Sequence, residues 1–295
     1  MPDSSFQILL YYLYNHIADP KAFVEEQRVL CEELELRGRI LISAEGVNGT
    51  VSGLTESTER YMAVLREDSR TSGIEFKVDS AEEHPFRKLS VKLRSEVVTL
   101  GLDQDDIDPN EITGKRLSPS EWLDALRDED VIVLDGRNDY ESALGRFKGA
   151  ICPDVEHFRD FPKWIRENLG DKKDRKVLTY CTGGIRCEKL SGFLLREGFE
   201  DVSQLHGGIV EFGKNPETQG RDFEGLCYVF DERVGVEVNH TETRKVVSSC
   251  WRCGEPSTRY RNCGWPDCNA QIFLCEGCEG EFGRFCGESC KASLG

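Results

Sequence analysis

Two sets of cysteines set the chemistry open to this chain. The first lies in the loop Cys181-Thr-Gly-Gly-Ile-Arg186, with Cys187 immediately after it. A β-branched and apolar run from Val177 to Tyr180 stops at Cys181, and apolar periodicity resumes beyond Arg186 through Leu194 and Leu195. That order predicts a strand, a tight loop and a helix. A thiol at such a turn faces backbone N–H groups and the positive end of the helix dipole, which favour thiolate over thiol. Gly183 and Gly184 let the loop turn its amides inward where a Cβ would clash. Cys181 is therefore the candidate nucleophile. Arg186 would stabilise a developing anion, and Thr182, Gly183, Gly184 and Ile185 would form the substrate-binding ring.

The second set begins at residue 250, where eight of the thirteen cysteines fall in four close pairs: Cys250 and Cys253, Cys263 and Cys268, Cys275 and Cys278, Cys286 and Cys290. Short knuckles supply soft ligands two at a time, and zinc takes four of them in a tetrahedron. Eight thiols thus predict two structural zinc sites. An iron–sulfur cluster is the alternative reading. Two groupings satisfy the spacing: the first four with the last four kept apart, or an interleaved brace joining the first pair to the third and the second to the fourth. A tail this rich in cysteine builds little core of its own, so metal would hold it folded. No organic cofactor is evident.

The rest of the chain must position these groups. Its 295 residues, 38% hydrophobic, allow two or three domains. Residues 1–100 read as an α/β unit: a strand over Ile8 to Tyr14, a helix capped by Asp19 with Pro20 in its first turn, short strands at Arg39 to Ser43 and Thr50 to Ser52, a helix from Thr55, and strands at Ile74 to Val78 and near Leu89. Gly38 would stop the first helix. The β-α-β-β-α-β order predicts a ferredoxin-like fold. Within it, the segment from Ser43 to Thr50 reads as a polar hairpin with its turn at Asn48-Gly49, or as a ligand-facing loop whose Glu45 and Asn48 hydrogen-bond a base or ribose.

Residues 101–117 are acidic and read as a linker. A second domain over 118–225 opens with a capping box, Ser118 to Glu121. It continues with a buried strand ending at Asp135-Gly-Arg137, whose charges form a structural ion pair, and then the Cys181 strand. An extension over 226–295 carries the cysteine pairs.

Composition narrows the partners. A formal charge of −16 and a pI of 4.9 argue against indiscriminate nucleic-acid binding, though not against a local basic surface. Two segments offer one: Arg87, Lys88, Lys92 and Arg94, and Lys172, Lys173, Arg175 and Lys176. The first residues carry no basic cluster, and Ile8 to Tyr14 is too short to span a bilayer, so neither export nor membrane insertion is expected. Many cysteines without an export signal point to the reducing cytoplasm.

The first domain resembles the acylphosphatase-like domain, although Tyr14-Asn-His-Ile-Ala-Asp19 replaces the glycine-rich, arginine-bearing loop with which acylphosphatases hold phosphate. No acylphosphatase activity is assigned. Six residues from Cys181 to Arg186 resemble the rhodanese loop, which cradles a persulfide. The related phosphatases have one more residue there. Residues 118–225 follow the rhodanese succession throughout, except that Arg146 stands where a histidine is usual. With Glu45-Gly-Val-Asn-Gly-Thr-Val-Ser-Gly53 and the cysteine-rich end, the chain resembles the rhodanese-domain tRNA uridine hydroxylases over nearly its whole length.

The resemblance implies oxygen-dependent conversion of the wobble uridine to 5-hydroxyuridine. Its partners would be a tRNA anticodon loop, molecular oxygen and a reductant of unknown identity. Cys181 would add to the ring or carry an oxidised sulfur, and Cys187 would resolve it as a disulfide, or else serve as a core cysteine on the first helical turn. Two other functions remain open: a sulfurtransferase with Cys181 as persulfide carrier, and a zinc-stabilised RNA-binding module without catalysis.

Overall fold

A computed structural model describes residues 5–102, 106–268 and 270–293. Asp103 and Asp105 of the acidic stretch lie outside the described residues. The amino-terminal domain runs β1 (Phe6–Tyr14), α1 (Pro20–Glu33), β2 (Arg37–Ser43), β3 (Gly46–Leu54), α2 (Thr55–Glu67), β4 (Lys77–Ala81) and β5 (Leu89–Leu93). Its sheet has the order β4-β1-β3-β2-β5, antiparallel except for the parallel β2–β5 pair. The first four strands form the ferredoxin-like sheet, and β5 adds an edge. Asp19 accepts a hydrogen bond from the Ala22 amide at 2.9 Å, capping α1. The helix ends at Glu33 rather than at Gly38, with Glu35 taking the left-handed turn at φ 53°.

Strand β1 governs everything downstream because both its faces are covered. Leu9, Tyr11 and Leu13 point into the core with α1 and α2. Leu10, Tyr12 and Tyr14, on the opposite face by the strand's two-residue period, meet the central domain.

The hairpin after β2 turns at Ala44 and Glu45, not at Asn48-Gly49. Asn48 and Gly49 lie inside β3, opposite Tyr12 and Tyr11. Gly49 is there for packing: a Cβ on it would meet the Tyr11 ring at 2.3 Å. The amides of Asn15 and Ile17, in the loop that replaces the phosphate cradle, bond to the carbonyls of Glu45 and Ala44 at 2.9 and 3.0 Å. They are not free to hold an anion.

The central domain runs β6 (Lys115–Leu117), α3 (Pro119–Ala125), β7 (Ile132–Asp135), α4 (Asp139–Leu144), β8 (Gly145–Phe147), α5 (Phe161–Asn168), β9 (Val177–Tyr180), α6 (Ile185–Arg196), β10 (Val202–Leu205) and α7 (Gly208–Lys214). Strands β6-β10-β9-β7 form a parallel sheet. Strands β7, β9 and β10 are buried on both faces, as a doubly covered sheet requires, and β6 is an exposed edge. Val177, Leu190 and Phe193 pack in one core, and Leu178, Tyr180 and Trp122 in the other. The acidic stretch before β6 is no loose tether, since Leu100 and Ile107 are buried in the first of these cores. Strands β11 (Phe223–Tyr228) and β12 (Gly235–Glu237) extend β8. The chain closes with β13 (Tyr260–Asn262), β14 (Gln271–Phe273), α8 (Glu276–Phe282) and α9 (Glu288–Ala292).

Candidate active site

Cys181 sits where β9 ends and the loop turns into α6. The Gly184 amide donates to its Sγ at 3.1 Å. Gly184 takes φ +104°, and a Cβ there would meet the Tyr12 hydroxyl at 3.0 Å, so the loop needs a glycine on two counts. From behind, the Ile209 and Val210 amides of α7 donate to the carbonyls of Cys181 and Thr182 at 3.0 and 3.1 Å. Gly208 lets α7 come this close, because a Cβ would lie 2.6 Å from the Thr182 carbonyl oxygen.

The sulfur is acidified by its surroundings. Burial raises its pKa, and four groups outweigh burial: the Cys187 thiol, the Arg186 guanidinium, and the Cys187 and Gly184 amides, which together bring Cys181 down to about 6. Cys187 moves the other way, its thiol held well above the ordinary range by burial and by the neighbouring Cys181 charge. These opposite shifts favour a thiolate at Cys181 beside a thiol at Cys187 near neutral pH. Thr179 Oγ1 lies 3.7 Å from the Cys187 sulfur and fixes it from the strand side.

Arg186 is held by Glu141 on α4 through two parallel bonds of 2.6 and 2.8 Å, both side chains buried. Glu141 belongs to the Tyr140-Glu141 element of the rhodanese succession, and motif reading gave it no role. Its traces in the sequence are its place after the Asp135 turn and a capping-box spacing from Asn138. That turn is a closed ion pair, Asp135 with Arg137 at 2.6 Å, joined by the Tyr180 hydroxyl at 2.7 Å.

Cys181 is 1% exposed yet lines a cavity of about 500 Å³ between the two domains. One wall is the loop, with Thr182, Gly183, Ile185 and Arg186. The other is the outer face of the amino-terminal sheet, with Leu10, Tyr12, Leu41, Asn48 and Thr50. Tyr12 donates to Glu188 at 3.1 Å and Tyr14 to the Ile185 carbonyl at 3.3 Å, clamping the sheet onto α6. The first-domain candidates therefore part company. Asn48 is on the cavity wall. Glu45 is not: its Oε1 accepts from the Val97 amide at 2.6 Å and its Oε2 pairs with Lys189 at 2.9 Å. Lys189 is fully buried, also pairs with Glu96 and Asp106, and its three carboxylates outweigh the burial that disfavours its charge. Glu45 thus pins the domains together and is withdrawn as a base or ribose ligand.

The eight carboxy-terminal cysteines fall into two groups, Cys250, Cys253, Cys275 and Cys278, and Cys263, Cys268, Cys286 and Cys290, each with its sulfurs within 4.8 Å of one another. This is the interleaved brace. A tetrahedral zinc with bonds of about 2.3 Å sets its sulfurs about 3.8 Å apart. The spacings of 3.8 Å for Cys253 and Cys275, 3.5 Å for Cys268 and Cys286 and 3.4 Å for Cys286 and Cys290 fit a single ion in each group. The module packs back toward the cavity through Tyr260 on Tyr228 and Tyr228 on Phe230, at 5.8 and 5.2 Å.

A six-residue loop from cysteine to arginine at the end of a parallel strand defines a rhodanese-type thiolate site, here roofed by an acylphosphatase-like sheet. Residues 6–97 match the UPF0176 acylphosphatase like domain, residues 118–215 the rhodanese-like domain and residues 224–291 the rhodanase C-terminal family. A tRNA uridine(34) hydroxylase of Bacillus mycoides is 53% identical over 97% of this chain and 89% of its own. The proteins of that name from Staphylococcus saprophyticus and Bacillus cereus are 53% and 52% identical over 97% and 98% of this chain, and 90% of their own. The chain belongs to the tRNA uridine(34) hydroxylase family.

Proposed function

We propose that this protein hydroxylates C5 of the wobble uridine in tRNA, using molecular oxygen, with Cys181 as the working thiolate and Cys187 as its redox partner. The observation that carries this reading is the acidified Cys181 sulfur, on the wall of a two-domain cavity in a chain of this family. An anticodon loop presents an unstacked base at small cost, so its uracil can enter. The loop amides and Arg186 stabilise negative charge on ring or sulfur as reaction proceeds. Thr182, Gly183 and Ile185 shape the floor, Gly184 holds the Cys181 sulfur through its amide, and Asn48 offers hydrogen bonds from the roof.

The electron count closes with two thiols. One oxygen atom replaces hydrogen at C5, the other leaves as water, and Cys181 and Cys187 give up two electrons as they join in a disulfide. A cellular thiol then reduces that disulfide for the next turnover. Carrying sulfane sulfur needs one cysteine, whereas a second thiol near enough to shift the titration of the first suits a redox pair, which favours hydroxylation over sulfur transfer.

The two cysteine groups would hold structural zinc, supplying folding energy rather than chemistry. Such thiolate sites and a reducible active-site pair suit the cytoplasm. Among the described residues no helix is long and apolar enough to cross a membrane.

The test is mass analysis of tRNA from a deletion strain complemented with wild type or Cys181→Ser, beside a thiocyanate-release assay. Wild type restores 5-hydroxyuridine and the variant does not, while retaining tRNA binding. Hydroxylation by the variant removes the catalytic assignment. Thiocyanate release with unchanged tRNA selects the sulfurtransferase.

A further inference from the structure

The cavity described above has a mouth whose chemistry the reaction at Cys181 does not use. Three more arginines lie on its walls: Arg39 on β2, Arg94 just after β5, and Arg159 in the turn before α5. They come from two domains, and all three are exposed. None has a carboxylate partner among the described residues; Arg94 only donates to the Leu93 carbonyl at 3.0 Å. Arg186, nearly buried in the same cavity, is paired with Glu141, and Arg87 is paired with Glu232 at 2.5 Å. The other basic run in the sequence does not line this cavity; there Lys172 and Arg175 donate to the carbonyls of Asn168 and Asp130 at 3.3 and 2.9 Å, and Lys173 to that of Glu197.

Aromatic surface accompanies the charge. Phe230 lines the mouth and is 56% exposed, the most exposed of the large apolar side chains described. Tyr228 meets it edge-on at 5.2 Å and holds the ring in place. Phe86 and Phe158 lie on the cavity wall and are nearly buried. Unpaired guanidinium groups around a pocket, with an exposed aromatic face at its edge, match a single-stranded nucleic acid, whose phosphates need cations and whose bases need rings. An acidic peptide would satisfy the arginines and leave Phe230 in water.

We propose that the cavity mouth is the docking surface for the single-stranded RNA loop. Arg39, Arg94 and Arg159 take the phosphates flanking the nucleotide that enters toward Cys181, and a neighbouring base stacks on Phe230. This rests on the hydroxylase reading and adds how a strongly acidic protein seats RNA: a local cationic ring at the entrance offsets the unfavourable overall field. Because the ring is shared by the two domains, the Lys189 junction sets the spacing of the phosphate seats.

The experiment measures tRNA binding and 5-hydroxyuridine formation across a series of salt concentrations. It compares wild type, the single Arg→Gln variants, the triple variant R39Q/R94Q/R159Q, the corresponding triple Arg→Lys variant, and Phe230→Ala. Each phosphate contact on a single strand contributes about 0.7 to the slope of log K against log salt, so the triple Gln variant should lose about 2 from that slope. Its KM for tRNA should rise at least tenfold, with a far smaller change in kcat. The triple lysine variant should keep most of the slope. Phe230→Ala should weaken binding roughly 5- to 150-fold at unchanged slope, the worth of one stacked base. Arg28→Gln, on the helix-covered side of the same sheet, should change neither quantity. A triple Gln variant with wild-type slope and KM overturns the docking surface while leaving the hydroxylase reading intact. Absence of 5-hydroxyuridine from wild type overturns that reading itself.

Discussion

The Cys181 loop and the carboxy-terminal brace use the same residue type under opposite conditions. Cys181 is positioned by a core that exists without it: a four-stranded parallel sheet, the α7 amides bonded to its loop carbonyls, and the Arg186–Glu141 pair. The cysteines of the brace make up most of their own core, a small cluster of Cys250, Leu274 and Cys278 with Ile272 and Cys275 packed against it. A preformed core lets a thiol be reactive, because holding the fold does not depend on the sulfur. Without one, the sulfur must be committed to metal, and a committed thiolate is no longer free for chemistry.

Chelation should give the widest separation between the two regions. Structural zinc in small thiolate sites is worth roughly 10–16 kcal/mol, so metal removal should unfold residues 250–293 while the parallel sheet survives. Hydrogen exchange reports both at once, and equally fast exchange in β9 and β14 would break the comparison. Next in size is Glu141→Gln. It leaves Arg186 buried without its counter-charge, which should cost about 3–5 kcal/mol in chemical denaturation. The matching change in the brace, Glu276→Gln, removes an ion pair with Arg259 from a carboxylate 81% exposed and should cost less than about 1 kcal/mol. Equal costs would show that the two regions are not held differently.

The smallest effect is a shift along the pH axis. With Cys181 at about 6, its thiolate persists above that pH and is lost as pH falls through it, so the rate should drop on the acid side with a midpoint near 6. Cys187→Ala removes the side chain that most favours that thiolate. Its midpoint should therefore move upward, toward the ordinary thiol range, in the alkylation rate of Cys181 by a small haloacetamide. An unmoved midpoint would assign the acidity to the loop amides and Arg186 alone.

Much of this contrast was legible in the amino-acid sequence, because both features are local. Strand, cysteine, two glycines and arginine lie within a dozen residues, and short cysteine knuckles announce metal. What was hidden depends on contacts distant along the chain. The interleaved grouping needs the β13–β14 hairpin to bring Cys250 near Cys275, which spacing alone leaves undecided. Asn48-Gly49 has the composition of a turn, but Gly49 is set in the strand by the Tyr11 ring, so the turn falls at Ala44 and Glu45. Glu45 was misread for a related reason: a polar loop residue looks available until Lys189, 144 positions later, is seen to occupy it. Leu10, Tyr12 and Tyr14 read as ordinary strand residues, and only the packed domains reveal the first two as part of the roof of a cavity and Tyr14 as a clamp on α6.

The central claim is that the two adjacent sulfurs act together, and single-turnover analysis of pre-reduced protein tests it most directly. Wild type, mixed with tRNA and oxygen without added reductant, should form one 5-hydroxyuridine for each Cys181–Cys187 disulfide found by mass spectrometry, and Cys181→Ser should form neither. Product accumulating while both thiols stay reduced would contradict the account.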